Sequence, residues 1–307
     1  MSSEESTNPD GAATIRTGVR SDTSLHPLNA GLNLGSSTRG IDRNMDTSPP
    51  PQDITDLFFA RRSGNELHRD PFFYGPQTSQ SLFENGNPLH IDIGTGGGDY
   101  SIGQAVKDPS TNFLGVEIHT PSLYDGMNRN VSQLTLLKSR ASQEGHRNLL
   151  LLAADFAIFA PSIPPETVAA CTVRFPPPIT FEHKYSADLL SPRSVWAILL
   201  MLQAGGTLTI ATDSEAYVRN KIDMLMHTGA FRIINQNSAV EVVQSRYQRK
   251  AQEGLSKSMT HSVELVKSDS VDWQHVWNVL QGMDPRMGVS YYKDSQHNSQ
   301  HGYKTGQ

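Results

Sequence analysis

The stretch HIDIGTGGGDYS, residues 90–101, constrains this chain more than any other. A short apolar run, LHIDI (89–93), carries an acid, Asp92, and passes straight into glycines at alternate positions: Gly94, Gly96 and Gly98. Glycine turns where other residues cannot and lets a backbone approach a ligand closely. Helical spacing follows from Tyr100 to Val106. A strand, a glycine turn and a helix in that order place the turn at the carboxyl end of a strand, where open parallel sheets bind their ligands.

The same alternation continues. NFLGVEI (112–118) reads as a second strand and residues 122–145 as one long helix closed by Gly145. NLLLLAAD (148–155) is a continuous apolar run of the kind that a strand buried on both faces requires. VAACTVRF (168–175) is the fourth strand. A helix after Pro192 runs through SVWAILLMLQ and stops at Gly205-Gly206. TLTIATD (207–213), a helix from Glu215 to His227, FRIIN (231–235) and HSVELVK (261–267) follow. The order predicts an α/β chain: a mostly parallel seven-stranded sheet, Rossmann-like, with helices on both faces. DWQHVWNVLQGM (272–283) has the spacing of an amphipathic helix whose two tryptophans face the core.

The domain boundaries follow composition. Residues 1–53 are polar and Pro-rich and cannot bury enough surface to order themselves, so a disordered tail is expected there. Residues 54–88, with the apolar cluster DPFFYG (70–75), read as an extension packed on the core. The sheet domain spans 89–270, and 271–307 holds a helix and a loose tail. With 307 residues there is enough chain for one sizeable core plus this flanking material. A net charge of −5 gives no global attraction to nucleic acid or anionic membrane, so any such contact must be local. The single cysteine, Cys171, lies among apolar neighbours and reads as a buried core thiol. No metal-ligand spacing is present; His119 reads as a loop or capping residue. The longest apolar run, VWAILLML (195–202), is too short for a membrane span. No basic head precedes an apolar stretch, so no secretory leader is expected and the cytoplasm is the expected compartment.

The dinucleotide fingerprint needs a third glycine where this chain has Asp99, and an acid at a helix start repels a pyrophosphate. D-x-G-x-G-x-G suits S-adenosylmethionine instead, which has no phosphate. Asp92 would meet its cationic amino-acid end and Gly94, Gly96 and Gly98 would line the methionine part. Glu117, at the end of the second strand, suits the ribose hydroxyls, and Asp155, after the third, suits the adenine side. Each acid has a plainer reading as a helix cap.

LFENGNPLHIDIGTGGG (82–98), FLGVEIHTPSL (113–123), GHRNLLLLAADF (145–156), AGGTLTIATDSEAY (204–217) and SRYQRKAQEG (245–254) together resemble the bacterial tRNA (guanine-N7)-methyltransferases, over roughly residues 80–267. The resemblance implies cofactor contacts at Asp92, Glu117 and Asp155. It implies tRNA or guanine contacts at Asp213 and at Ser245, Arg246, Tyr247 and Gln248. It also implies a methyl transfer from S-adenosylmethionine to N7 of a guanosine in the tRNA variable loop, by a monomer or small homo-oligomer. The chain departs from the family in RFPPPITFEHKYSADLL (174–190): Pro177 stands where the family has an aspartate, Ile179 replaces a tryptophan, and of the basic run only His183 and Lys184 remain. Gln248 replaces a glutamate and Ser245 a threonine. Two other readings fit these departures: an RNA-binding paralogue without activity, and a methyltransferase for a different substrate. Asp213 also reads as an N-cap for the helix beginning near Glu215.

Overall fold

The computed structural model describes residues 45–61, 76–176, 188–236 and 261–284. The sheet is built on the most apolar strand of the sequence. In β4 (Leu149–Ala153) every residue is buried. Leu149, Leu151 and Ala153 point into one apolar layer, and Leu150 and Leu152 into the other. A strand presents alternate side chains to its two faces, so a run of leucines serves both at once.

Around it lie β1 (Phe59–Arg61), β2 (Leu89–Ile93), β3 (Asn112–Glu117), β5 (Val168–Arg174), β6 (Leu202–Thr212), β7 (Phe231–Gln236) and β8 (His261–Lys267). Their order is β1-β4-β3-β2-β5-β6-β8-β7. Every pairing from β1 to β6 is parallel, and β8 runs antiparallel between β6 and β7. The mostly parallel sheet is thus as the alternation predicts, with eight strands among the described residues rather than seven. The extra one, β1, has only three residues, too few to show a period.

Helices α1 (Gln52–Phe58), α3 (Asp99–Lys107), α4 (Thr120–Arg129) and α5 (Val131–Glu144) cover one face. Helices α2 (Ser79–Phe83), α6 (Phe156–Phe159), α7 (Pro192–Met201), α8 (Glu215–His227) and α9 (Trp273–Met283) cover the other. Helix α1 begins at Gln52, inside the stretch read as tail, and buries Ile54 and Phe58. The tryptophans of α9 pack edge-on against Trp196 of α7, at 5.6 and 5.2 Å between ring centres. Cys171 is buried, as expected, and burial pushes its thiol pKa up.

Two helix expectations are corrected. The long helix over 122–145 is two helices, broken at Asn130. The Asn130 amide donates to the Gly126 carbonyl at 2.7 Å and to Asp99 at 3.1 Å, and this competition with the backbone ends α4. Helix α7 stops at Met201 rather than at the glycine pair. Leu202 is already extended and joins β6, whose pairing with β5 shifts register between Val168 and Ala170, beside Gly205 and Gly206. DPFFYG, and the tail from Tyr291, lie outside the described residues.

Candidate active site

Strands β2, β3 and β4 end side by side, with Asp92 paired in register to Gly115, and Glu117 to Ala153. The three acids expected there do different things. Asp92, 2% exposed, accepts three hydroxyls: Thr95 at 2.5 Å, Ser101 at 3.0 Å and Thr172 at 2.9 Å. These come from the turn, from α3 and from β5, so one carboxylate knots three elements together beneath the turn. Its plainer reading as a cap is not what the structure shows. Glu117 accepts the Gly96 N–H at 3.0 Å and the His119 N–H at 2.9 Å, closing the glycine turn onto the tip of β3. Burial raises its pKa, and the two backbone donors offset only part of this. Asp155 is a helix cap: it accepts the Ala157 N–H at 2.8 Å and starts α6.

Gly94, Gly96 and Gly98 all take positive φ, at 71°, 62° and 75°, where only glycine is at ease. Their surroundings differ. A Cβ on Gly96 would meet nothing within 4 Å, so the centre of the turn faces open space beside Glu117. A Cβ on Gly94 would meet the Leu189 side chain, which lies directly on the turn. Open space, a bent backbone and a carboxylate at the neighbouring strand tip form a cradle that fits a nucleoside with a cationic tail.

The cradle is held from both flanks by residues that the sequence reading missed. On one side a Cβ on Gly126 of α4 would lie 1.7 Å from the Gly97 carbonyl oxygen: backbone rests on backbone. Arg129 fastens this contact. It bonds Asp99 at 2.8 Å and also pairs with Asp125, and both acids are buried. Asp99 is therefore committed to α4, and it does not sit free at the start of α3. Asp125 also accepts the Asp46 N–H at 3.0 Å, which ties the first described residues to α4. On the other side Asp188 accepts the Leu190 N–H and the Tyr217 hydroxyl, each at 3.0 Å, and pairs with Lys221. All three side chains are buried, and burial raises the Tyr217 pKa. This cluster pins the segment that lays Leu189 on Gly94. Only the glycine at 126 gave a signal, and nothing set it apart from other helical glycines.

Asp213 follows β6 and is exposed. The capping role open to it is filled by Ser214, which accepts the Tyr217 N–H at 3.3 Å. His119 stands at the start of α4, where its ring meets the Ser122 hydroxyl at 2.8 Å. Ser245, Arg246, Tyr247, Gln248, Pro177, Ile179, His183 and Lys184 lie outside the described residues. Among the described residues no cluster of three metal-binding side chains occurs, and no helix is long and apolar enough to cross a membrane.

Residues 86–261 match the model of a family described as "Putative methyltransferase". The chain is 25% identical over 209 residues to a tRNA (guanine-N(7)-)-methyltransferase of Rubrobacter xylanophilus, covering 67% of this chain and 89% of that protein. It is 31% identical over 154 residues to a protein of the same name from Saccharophagus degradans, covering 50% of this chain and 62% of that one. Among solved structures, an antibiotic-related methyltransferase overlays with a TM-score of 0.39 at 19% identity, covering 67% of this chain and 94% of that one. The family model spans more than half of the 307 residues and runs from just before β2 to the start of β8; the chain belongs to this family of methyltransferases.

Proposed function

We propose that this protein transfers the methyl group of S-adenosylmethionine to N7 of a guanosine in the variable loop of tRNA. The observation that carries the reading is the Gly96 turn, open on its outer side and closed onto Glu117 at the next strand tip, in a chain whose relatives bear the name tRNA (guanine-N(7)-)-methyltransferase. When bound, S-adenosylmethionine supplies a methyl group made electrophilic by its sulfonium.

The protein's part is to hold and to orient. Guanine N7 carries no proton at neutral pH, so its lone pair attacks without a general base, and the rate depends on holding the two partners in line. Glu117 would take the ribose hydroxyls. Asp92 would act chiefly through the turn, because three hydroxyls already draw on its oxygens. Asp155, though spent on a cap, keeps its place after β4, on the adenine side. Asp213, free of capping duty, would face the amino edge of the base or the positive charge that develops on the methylated ring. Ser245, Arg246, Tyr247 and Gln248 would grip phosphate and stack on the base.

The test is methyl transfer from labelled cofactor to tRNA lacking N7-methylguanosine, with the product mapped by nuclease digestion. Label in N7-methylguanosine at the variable loop is expected, together with a Glu117→Ala variant that binds the cofactor far more weakly. No incorporation at high enzyme concentration rejects the reading. A second reading, an RNA-binding paralogue without activity, is favoured by Pro177, which has no carboxylate where the family has one. It requires RNA binding that weakens steeply with salt and is indifferent to Asp92→Ala.

A further inference from the structure

Asp125 stands where two contacts meet. One of its oxygens, Oδ1, accepts the backbone N–H of Asp46 at 3.0 Å. The other, Oδ2, takes the Arg129 guanidinium through Nη1. The second arm of that guanidinium, Nη2, bonds Asp99 at 2.8 Å, at the start of α3. The same nitrogen lies on the turn itself: a Cβ on Gly97 would stand 2.6 Å from it and 3.0 Å from the Gly126 Cα. Links therefore run from residue 46, through α4, to the glycine turn.

The segment at 46–51 is docked on α4 at a second point. Its Ser48 carbonyl accepts the Asn128 amide at 2.9 Å. Asn128 follows Asp125 by three residues, so the two anchors share one face of the helix. Pro50 is buried, and the Thr55 hydroxyl bonds the Pro50 and Pro51 carbonyls at 3.3 and 3.2 Å where α1 begins. The Asp46 carboxylate bends back to accept the Ser48 N–H at 3.1 Å and the Ser48 hydroxyl, so its charge is answered within the segment. The segment is a strap with two fastenings.

Two buried carboxylates, Asp99 and Asp125, share Arg129. A backbone N–H on Asp125 answers part of that acid's charge and leaves more of the guanidinium to Asp99 and the turn. When the strap lifts, that donor is lost and Arg129 is drawn toward Asp125. Gly97, in backbone contact with Gly126, has no slack to absorb the change.

We propose that the strap at 46–51 is a positioning element for the cofactor turn: its docking on Asp125 and Asn128 tightens binding of the cofactor nucleoside, and the bound nucleoside holds the strap down. This rests on the reading of the cradle as an S-adenosylmethionine site. The coupling is reciprocal, so it is measurable from either end.

The test uses the full chain and S-adenosylhomocysteine, the demethylated product. From the strap end, hydrogen exchange is followed at the Asp46 amide with and without the nucleoside. About fivefold slowing is expected, at the low end of coupling between sites. The Gly229 amide, bonded to the Met226 carbonyl at 3.0 Å beyond α8, is the control and is expected to stay unchanged. From the nucleoside end, calorimetry of Asp46→Pro, which has no N–H to give Asp125, is expected to show affinity about fivefold weaker than wild type. Asn128→Ala, which removes the other fastening, is expected to weaken it about twofold and carries the test if the proline variant does not fold. Equal slowing of both amides, or none at Asp46, overturns the proposal, because a strap that is merely structural does not sense the nucleoside. Wild-type affinity in the variant overturns it too and leaves the cofactor reading intact. Wild type that binds no S-adenosylhomocysteine overturns both.

Discussion

On one flank of the glycine turn backbone lies on backbone; on the other a leucine is pinned by a buried ion pair. The first flank is α4, where Gly126 rests on Gly97 and a partly exposed Arg129 serves two acids. The second is the segment at Leu189, held through Asp188 to Lys221 and Tyr217 of α8. The two solve one problem by opposite physics. Close packing costs no desolvation but tolerates no Cβ. A buried ion pair tolerates some movement but depends on both partners, because either charge alone is very costly in the interior.

Removing one partner of the buried pair therefore gives the largest effect. Lys221→Met leaves the Asp188 carboxylate buried with only neutral donors, and is expected to cost about 3–5 kcal/mol in urea denaturation. Adding Asp188→Leu to the same chain is expected to recover only part of that loss, since it removes the lone buried charge but leaves the Leu190 N–H and the Tyr217 hydroxyl without their acceptor. Arg219, two residues earlier on α8, pairs with Glu215 in the open, and Arg219→Ala is expected to cost about 0.3 kcal/mol. Equal losses at Lys221 and Arg219 would show that the Asp188 cluster is not desolvated, and the contrast between the flanks would fail.

The packed flank comes next. Gly126→Ala places a methyl group against the Gly97 carbonyl and is expected to cost about 3 kcal/mol, with weaker binding of the sulfonium nucleoside because the turn must move. Gly96→Ala is the control. Its backbone is left-handed but its surroundings are open, so about 1 kcal/mol is expected from conformation alone. If both variants unfold at the same urea concentration, backbone contact does not set the position of the turn.

These flanks also show where a sequence is readable. The turn glycines stand out because positive φ demands the residue itself, and the tips of β2 and β3 are marked by an acid closing an apolar run. Leucines at 149–152 announce a strand buried on both faces. What escapes is whatever depends on partners far along the chain. Nothing local to Asp188 points to Lys221, 33 residues away. Asn130 reads as an ordinary helical residue until Asp99 is brought to it from another helix. Asp155 and Asp213 illustrate the same limit in reverse. Both precede a helix and both invite a capping role, yet Asp155 takes it and Asp213 yields it to Ser214 one residue later.

Apart from the two controls, the smallest effect concerns the strand beside both flanks, β2. His90 lies beneath the turn, with its ring beside Phe113 and Tyr100 and near the Thr172 hydroxyl. Burial, chiefly, lowers its pKa to about 4; Arg174 adds to the shift and Asp92 opposes it. In the unfolded chain the ring titrates near the ordinary value of about 6.5. Between those two values the unfolded state binds more protons than the folded state, so stability rises with pH across that window. Acidification from pH 7 to 4.5 is therefore expected to remove about 2 kcal/mol through this residue, less than full burial would give because some water reaches the ring. The measurement is the difference in unfolding free energy between wild type and His90→Gln at each pH, which cancels the carboxylates that titrate in both. A difference that stays flat from pH 7 to 4.5 would mean that the ring is solvated in the folded protein. The floor would then be a wet polar layer that water could loosen, and the rigidity of the turn would have to come from its two flanks alone.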